Sequence, residues 1–287
     1  MHSSSLPRTA TTIAAVIAAL LAVALLPAAA SAWAPAATAP IHPGVMTNTE
    51  GSGQCTSNFI FTRGADTYIG QAAHCSSTGA ATDTDGCQAS SLPLGTPVSF
   101  TEGGSLISEG TKVGSGTLVY SSWDTMHKLG TTNANTCAYN DFALVKVDAA
   151  DAGKVNPSIP FWGGPTGIDT NGTAAGDRVY TYGNSSLRGG ASQLSPHTGV
   201  SLGDDAADGG WSHPLYTLTP GVPGDSGSAF VSADGTAIGV LSTLGLAPLP
   251  LSNNIGDLGK ELAFAQDHSG IAGLSLVPGT EPFDPAL

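Results

Sequence analysis

One glycine-rich run of the sequence holds a serine in a setting that could make it reactive. Ser226 follows Asp225 in TLTPGVPGDSGSAF, which spans residues 217–230. Glycine, proline, aspartate and serine also build ordinary turns, so the run by itself is equally consistent with a surface turn. A serine hydroxyl becomes a nucleophile at neutral pH only when a base takes its proton and hydrogen-bond donors meet the oxyanion that forms. A reactive Ser226 therefore requires a base elsewhere in the chain and a group that orients it.

A histidine and an aspartate upstream have the types and surroundings that this chemistry requires. His74 lies in GQAAHC, directly after an apolar segment, where a neighbouring disulfide would hold the imidazole. Asp141 opens DFALVKVD, and a carboxylate partly buried at the start of a strand can orient an imidazolium. The order His74, Asp141, Ser226 along the chain is that of one well-characterised serine triad. These three residues are the candidate catalytic set.

The segments that hold these residues also resemble a known family. AAHC, NDFALVKVD and GDSGS are similar to the three signature blocks of the chymotrypsin-like serine endopeptidases, and in particular of their exported bacterial members. The resemblance extends from the first cysteine to the predicted C-terminal helix. It implies that His74 is the general base, that Asp141 orients it and that Ser226 is the nucleophile. The backbone N–H groups of Gly224 and Ser226 would form the oxyanion hole, where glycine leaves room for a substrate.

The same resemblance assigns a supporting role to the aspartate before the nucleophile. Asp225 would be buried and paired with a cation that organises the oxyanion loop. The candidate cations are a new N-terminal amine at Ile41 after cleavage and the guanidinium of Arg178 or Arg188. An arginine is favoured, because the segment IHPG is only loosely similar to the activated N-terminus of the family.

The chain contains four cysteines, which in an exported protein are typical of two disulfides. The residues alone leave three pairings open. The resemblance implies a bond between Cys55 and Cys75 that braces the histidine loop, with Cys87 and Cys137 as the remaining pair. A zinc site is disfavoured, because no C-x-x-C occurs and the adjacent side chains of His74 and Cys75 cannot easily reach one ion. No metal and no other cofactor is expected.

The residues expected around the substrate pocket include no acid at its base. In the family, a trypsin-like preference requires a carboxylate six positions before the nucleophile, and Pro220 stands there. By resemblance the segment LSTLG forms the pocket wall, with Ser242 against the substrate backbone and Leu244 in the lining. Glutamyl-specific relatives have histidine at the position of Leu241. The sequence therefore favours cleavage after apolar residues.

Composition limits the classes of partner. The formal net charge is −13 with only nine lysines and arginines, so no basic patch for nucleic acid is expected. The acidic clusters at 83–86 and 203–210 are interpreted as solvated loops rather than calcium sites, because the EF-hand pattern is absent. The expected partner is a protein or peptide substrate, and the protein is expected to act as a monomer.

The N-terminus indicates export. Arg8, the apolar run 12–27 and the small residues that end at Ala32 are typical of a secretory signal peptide, cleaved after Ala32. No later segment is long and apolar enough to cross a membrane, so no membrane contact is expected after cleavage. The sequence predicts a secreted, extracellular protein.

Short apolar segments separated by turn residues predict an all-β fold. The chain has 38 glycines and 19 prolines, and one turn signal, Asp234-Gly235, joins two strand-like segments as a hairpin. By resemblance the architecture is two six-stranded antiparallel β-barrels with a C-terminal helix. The first barrel would carry His74 and Asp141, and the second would carry Ser226.

The segments described above divide the chain into three predicted parts. It comprises a signal peptide at 1–32, a leader or short propeptide at 33–45, a protease domain at 46–287, a boundary between barrels at about 155–175 and a helix at about 255–269.

Two other functions stay open at this stage. An α/β-hydrolase esterase would use Ser226, Asp257 and His268 in that order, but its G-x-S-x-G elbow needs glycine where Ser228 stands. A catalytically inactive binding protein built on the protease fold would usually lack a triad residue, whereas all three are present here. An intact triad does not by itself establish activity, so this second reading is only disfavoured.

Overall fold

The computed structural model of the protein describes residues 1, 33–79, 84–245 and 252–286, and of residues 244 and 245 only the backbone. Residues Trp33–Leu287 form one compact unit. The predicted signal peptide lies outside the described residues apart from Met1. Within the described ranges, no helix is both long enough and apolar enough to span a bilayer.

Short β-strands make up most of the regular structure in the described residues. In chain order they are β1 (Met46–Thr49), β2 (Gln54–Thr56), β3 (Ile60–Arg63), β4 (Asp66–Gln71), β5 (Pro97–Glu102), β6 (Thr111–Ser121), β7 (Ala143–Val147), β8 (Gly167–Ile168), β9 (Arg178–Tyr182), β10 (Pro196–Ser201), β11 (Ser212–Thr217), β12 (Ala229–Ser232), β13 (Thr236–Gly245), β14 (Ser252–Asp257) and β15 (Ser275–Leu276).

Eight of these strands form one antiparallel sheet in the order β15-β3-β4-β7-β6-β5-β1-β2. Along β6 buried residues alternate with more exposed ones, as expected for a strand with one face on a core. The core side chains of this sheet are fully buried and include Ile60, Ile69, Phe100, Leu118 and Val145. Two short strands, β2 and β15, extend the sheet at its ends, so it has more strands than the predicted six.

The register of this sheet brings the candidate base and its orienting carboxylate to one place. β4 pairs with β7 so that Gln71 lies opposite Ala143. His74 follows β4 by three residues and Asp141 precedes β7 by two. Antiparallel pairing therefore puts both side chains at the same end of two neighbouring strands.

The second sheet closes on itself. Its strands run in the order β12-β9-β10-β11-β14-β13, and β13 pairs back to β12, which gives a closed six-stranded antiparallel barrel. β8 adds to β13 in parallel. The interior of the barrel is apolar and includes Val179, Leu215, Phe230, Ile238 and Ile255. The predicted hairpin between β12 and β13 is present, and Gly235 at its turn has a φ of +82°, which favours glycine.

The predicted fold class is thereby confirmed. The chain is mostly β, with one closed six-stranded barrel, a second antiparallel sheet and a C-terminal helix.

The described residues contain more helix than the sequence predicted. Besides α3 (Leu258–His268) there are α1 (Ser122–Leu129) and α2 (Ala134–Tyr139). Both additional helices lie in the segment just before Asp141. They are eight and six residues long, too short for a clear helical periodicity in the sequence.

The C-terminal helix begins at Leu258 rather than near residue 255. The side chain of Asp257 accepts the backbone N–H of Lys260 over 2.7 Å and so caps the helix. Ile255, whose spacing fits the helix, instead belongs to β14 and lies opposite Leu241 of β13. The apolar pattern therefore ran across a strand-to-helix junction, and the capping aspartate marks the true start.

A buried histidine links the barrel to this helix cap. His213 of β11 is 1% exposed; its Nδ1 lies 2.7 Å from Asp204 Oδ1 and its Nε2 lies 2.9 Å from Asp257 Oδ2. Burial lowers the pKa of His213, but the hydrogen bonds with Asp257 and Asp204 outweigh this effect, so the pKa is raised. The acidic cluster at 203–210 is therefore not entirely a solvated loop, because Asp204 contacts the buried imidazole of His213.

We expect this contact to make stability depend on pH. A histidine with a raised native pKa stabilises the fold below its unfolded pKa of about 6.5, and the contribution is lost as the pH rises through the native pKa. His213→Gln should therefore destabilise by about 2 kcal/mol at pH 5.5 and by less at pH 9. Thermal unfolding at both pH values measures the difference.

The exposed His127 provides the control. His127→Gln should leave the melting temperature unchanged at either pH. A loss for His213→Gln that is equal at both pH values would show that the imidazole is not charged in the native state.

Candidate active site

His74 and Asp141 contact each other directly at the end of the first sheet. His74 lies in the short 3-10 helix Ala73–Ser76 that follows β4. Its ring Nδ1 is 2.6 Å from Asp141 Oδ2, and its backbone N–H donates to Oδ1 of the same carboxylate over 2.8 Å. A carboxylate beside Nδ1 holds the proton on that nitrogen and leaves Nε2 as the basic atom. The pair has the geometry of a base and its orienting group.

The carboxylate of Asp141 is buried, with 4% of the residue exposed. A further donor, the hydroxyl of Ser242, reaches its Oδ2 over 2.6 Å from β13 of the second barrel. Burial raises the pKa of Asp141, but the charge of His74 and hydrogen bonds from His74 and Ser242 outweigh this effect, so the pKa is lowered. Burial lowers the pKa of His74, and the Asp141 carboxylate more than compensates, so that pKa is raised. The carboxylate stays ionised and makes the imidazole a stronger base.

Both predicted disulfides are formed. Cys55 and Cys75 are joined with a Cα–Cα distance of 6.0 Å, and Cys87 and Cys137 with one of 5.1 Å. The first bond ties the helical turn of His74 to β2, and the second ties α2 to the segment that follows the histidine loop. Because each of the four sulfurs is bonded to one other sulfur in a disulfide, none of them is a thiolate ligand for zinc.

The segment that contains Ser226 packs against this histidine loop. The carbonyl oxygen of Ser226 accepts the backbone N–H of Thr56 over 2.9 Å and lies 3.9 Å from Cys75 Sγ. Among the described residues, the Ser226 hydroxyl makes no hydrogen bond to the ring of His74. The serine backbone is therefore fixed beside the base, and the hydroxyl-to-imidazole bond is not made. Such catalytic contacts are often longer in the free enzyme than in the complex with substrate.

The loop before Ser226 presents backbone donors. The N–H of Asp225 binds Val222 O over 2.9 Å and that of Gly227 binds Leu241 O over 2.7 Å. Neither Gly224 N–H nor Ser226 N–H has a partner in the described part of the chain. Gly224 has a φ of +98°, and a Cβ there would lie 2.4 Å from Gln54 Oε1, so only glycine fits. Two free amides on neighbouring turns form a candidate oxyanion hole.

Of the three candidate cations, Arg188 is the one that pairs with the Asp225 carboxylate. It ends the 3-10 helix Ser186–Arg188, and its guanidinium contacts both carboxylate oxygens, with Nη2 2.5 Å from Oδ2. The side chains of Arg188 and Asp225 are 11% and 2% exposed, so the ion pair is buried. Arg178 is exposed at the start of β9, and Ile41 pairs in parallel with Val155.

Two side chains that the sequence did not single out help to hold this loop. Gln54 donates from Nε2 to Gly224 O over 3.1 Å, and its Oε1 accepts the backbone N–H of Ser186 over 2.9 Å. Asn58 is fully buried and donates to Gly227 O over 3.1 Å. A polar residue inside the apolar segment SNFIFT was a usable signal for Asn58. Nothing in the sequence distinguished Gln54.

Polar groups lie around Pro220, the residue expected at the base of a substrate pocket. Pro220 is half-buried, and next to it the backbone N–H of Gly221 donates to Asn253 Oδ1 over 3.1 Å. His197 and Thr219 contact each other beside this amide. Neither Asn253 nor His197 was predicted, because both come from strands that the sequence did not reveal. The side chain of Leu244 lies outside the described residues.

Comparisons with known proteins bear on the fold. No family model matches the chain, and no curated protein matches it by sequence. The structure of Thermobifida fusca Protease A matches 83% of this chain and 99% of that one, with 20% identity and a TM-score of 0.50. The fold is that of the chymotrypsin-like proteases.

Two further solved structures are similar to this chain, with lower TM-scores. A thermostable serine protease, AL20, from an extremophilic microorganism is 15% identical over 82% of this chain and 100% of that one, with a TM-score of 0.48. The Nocardiopsis protease NAPase is 17% identical over 82% of this chain and 98% of that one, with a TM-score of 0.45. At such identities the chemistry rests on the residues of the site itself.

The buried ion pair should be needed for stability. Arg188→Met leaves the Asp225 carboxylate buried without its cation, so we expect the free energy of unfolding to fall by about 3–5 kcal/mol. Urea-induced unfolding at neutral pH measures this loss. Arg178→Met removes an exposed guanidinium from the same protein and should change stability by less than about 0.5 kcal/mol. Equal losses in the two variants would contradict a structural role for the Arg188–Asp225 pair.

Proposed function

We propose that the protein is a secreted serine endopeptidase that hydrolyses protein or peptide substrates through an acyl-enzyme. The observation that carries the proposal is the His74–Asp141 contact of 2.6 Å, beside a serine whose preceding loop has two unengaged amides. The chymotrypsin-like fold supports the same chemistry. The chain acts as an extracellular monomer and requires no metal or cofactor, since nucleophile, base and oxyanion donors all come from its own residues.

In the proposed mechanism Ser226 attacks the carbonyl carbon of the scissile bond while Nε2 of His74 takes the hydroxyl proton. The oxyanion that forms accepts hydrogen bonds from the N–H groups of Gly224 and Ser226, and Asp141 stabilises the imidazolium. The imidazolium then gives its proton to the leaving amine, and the acyl group stays on Ser226. A water then attacks this ester while His74 takes its proton, and the imidazolium returns that proton to the Ser226 oxygen as the acid product leaves, which restores the free serine and the neutral base.

Two observations weigh against the other functions. For the esterase, Asp257 is engaged by His213 and by the start of α3, and His268 is exposed against the ring of Phe264. Neither residue is arranged to serve Ser226. For the inactive binding protein, an oxyanion loop with engaged amides would be expected, whereas the Gly224 and Ser226 amides have no partner among the described residues.

The substrate preference is the finer part of the proposal. Pro220 stands where a preference for basic residues requires a carboxylate, and the carboxylate of Asp225 is neutralised by Arg188, so a lysine or arginine side chain has no counter-ion there. We therefore retain the proposal of an apolar residue before the scissile bond. Digestion of a mixed peptide library, with the cleaved positions read by mass spectrometry, tests it. Cleavage predominantly after basic or acidic residues would overturn it.

Reactivity of the serine tests the central proposal. The mature protein, collected from the culture medium of an expressing host, should be labelled by a fluorophosphonate probe at Ser226, and Ser226→Ala should abolish both labelling and peptide hydrolysis. Ser99→Ala, on the half-buried face of β5, should label as the wild type does. Absence of labelling in the folded wild type would favour the inactive binding protein.

The pKa of His74 determines the acid limb of the activity profile. The base works only when neutral, and the Asp141 carboxylate raises the pKa of His74 above its ordinary value near 6.5. We expect kcat/KM to rise with pH through this raised pKa and to be low below about pH 6. Asp141→Asn should both shift the limb to lower pH and reduce kcat by about 10⁴-fold. A limb that does not move in this variant would contradict the assigned role of Asp141.

A further inference from the structure

A glutamate occupies the buried face of the C-terminal helix. The face of α3 that packs on the protein carries Leu258, Leu262 and Ala265, and Glu261 lies on the same face with 0% exposure. An amphipathic helix normally places apolar residues in this stripe. A buried carboxyl group is costly unless it is hydrogen-bonded, so its presence here indicates a specific partner.

The partner is the backbone of the candidate catalytic aspartate. Glu261 Oε1 accepts the N–H of Asp141 over 3.0 Å. Close approach is permitted by Gly256 of β14, where a Cβ would lie 2.3 Å from Oε1. That same Cβ would lie 3.1 Å from the carbonyl oxygen of Tyr139, just before Asp141. The helix, β14 and the segment that carries Asp141 therefore meet at this carboxyl group.

The surroundings of Glu261 contain no cation. The titratable groups that act on it are Asp141, Asp257 and the hydroxyl of Tyr120, and the ring of His74 lies beyond Asp141. Its Oε2, the Tyr120 hydroxyl and the side-chain amide of Asn140 are buried without partners among the described residues. Burial and the charges of Asp141 and Asp257 raise the pKa of Glu261 well above its ordinary value, against the hydrogen bond from Asp141. Burial with a single backbone donor, no cation and two neighbouring acids therefore favours the neutral form of this carboxyl group.

We infer that Glu261 is a positioning residue of the active site: as a neutral acid, it holds the backbone of Asp141, and through it the imidazole of His74, without adding a second negative charge behind the triad. This inference rests on the proposed function and goes beyond it, because it assigns a role to a helix that touches neither substrate nor nucleophile. The neutral state of Glu261 is essential to this role, because its charge would act on the His74 imidazole. An ionised Glu261 would raise the pKa of His74, whereas a neutral one leaves that pKa to Asp141 alone.

Replacement of Glu261 by glutamine and by methionine tests two parts of the inference separately: that the side chain is neutral, and that it accepts the hydrogen bond from the Asp141 N–H. Glu261→Gln keeps an acceptor oxygen and a neutral side chain, so kcat, KM and the pH of the acid limb should all match the wild type. Glu261→Met is also neutral and similar in length but leaves the Asp141 N–H buried without an acceptor. Its kcat should fall by about ten-fold with KM nearly unchanged, because the substrate contacts are made by other residues.

A structural role alone predicts a different result. Leu262→Ala, on the next position of the same buried face, should lower the melting temperature while kcat and the acid limb stay at wild-type values. If Glu261→Met behaves like Leu262→Ala, the positioning role is wrong. If Glu261→Gln moves the acid limb to lower pH, the glutamate was ionised in the wild type and the neutral-acid part is wrong.

A proton NMR measurement makes the test independent of turnover. The Nδ1 proton of His74, shared with Asp141, should give a strongly downfield signal that is retained in Glu261→Gln and shifted or broadened in Glu261→Met. The two tests are therefore separate. A folded protein that does not react with the fluorophosphonate probe would refute the proposed function, while its NMR signal would still report on the contact between Glu261 and the Asp141 N–H. If Glu261→Met does not fold, the signal and acid limb of Glu261→Gln decide, since any change in either overturns the inference.

Discussion

The buried negative charge of Asp141 is the constraint on which the rest of the site depends. A carboxylate loses several kcal/mol of hydration when it leaves water, so it stays ionised only where donors replace the water. His74 supplies a ring and a backbone N–H from the first sheet, and Ser242 supplies a hydroxyl from the second barrel. Because the donors come from both sheets, the full set exists only when the sheets are docked. The ionised state of Asp141, the basicity of His74 and the packing of the two sheets are thus coupled.

The loop before Ser226 also contains a buried carboxylate, and here the cost of burial is offset by a different kind of interaction. Its buried carboxylate, Asp225, is compensated by a full opposite charge from Arg188 rather than by neutral donors. That ion pair and the amide of Gln54 pack around Gly224, which has a positive φ, and the Gly224 and Ser226 amides have no partner among the described residues. An oxyanion hole needs donors that are fixed before the charge appears, because reorganising them during the reaction would cost part of their benefit. In the proposed oxyanion hole, the buried Arg188–Asp225 ion pair next to Gly224 would supply this fixed geometry.

The sequence was informative where chemistry restricts the residue type, and uninformative where tertiary packing alone makes a contact. Short motifs singled out His74, Asp141 and Ser226, of which the first two are in contact, and the density of turn residues identified the all-β class. The pattern failed at Ile255, whose helical spacing continued from a strand into α3, and at the two short helices before Asp141. Glu261 carried a signal that was not used, since a glutamate in the apolar stripe of a helix is anomalous. Gln54 had no such signal, because its role arises from contacts 130 residues or more away in the chain.

Three buried acids lie close to the site, and each is compensated by different means. Asp141 is surrounded by donors, Asp225 is paired with a guanidinium, and Glu261 is held by one backbone N–H and, in the role proposed above, stays neutral. The distinction matters for the base. A second ionised carboxylate behind Asp141 would raise the pKa of His74 further, and the fraction of imidazole that is neutral at pH 7 would fall about ten-fold for each unit. The lack of a cation near Glu261 therefore serves a purpose in the proposed role, because it favours the neutral form of the carboxyl group. It lets a polar group fix the position of Asp141 while the charge on the base is determined by one carboxylate alone.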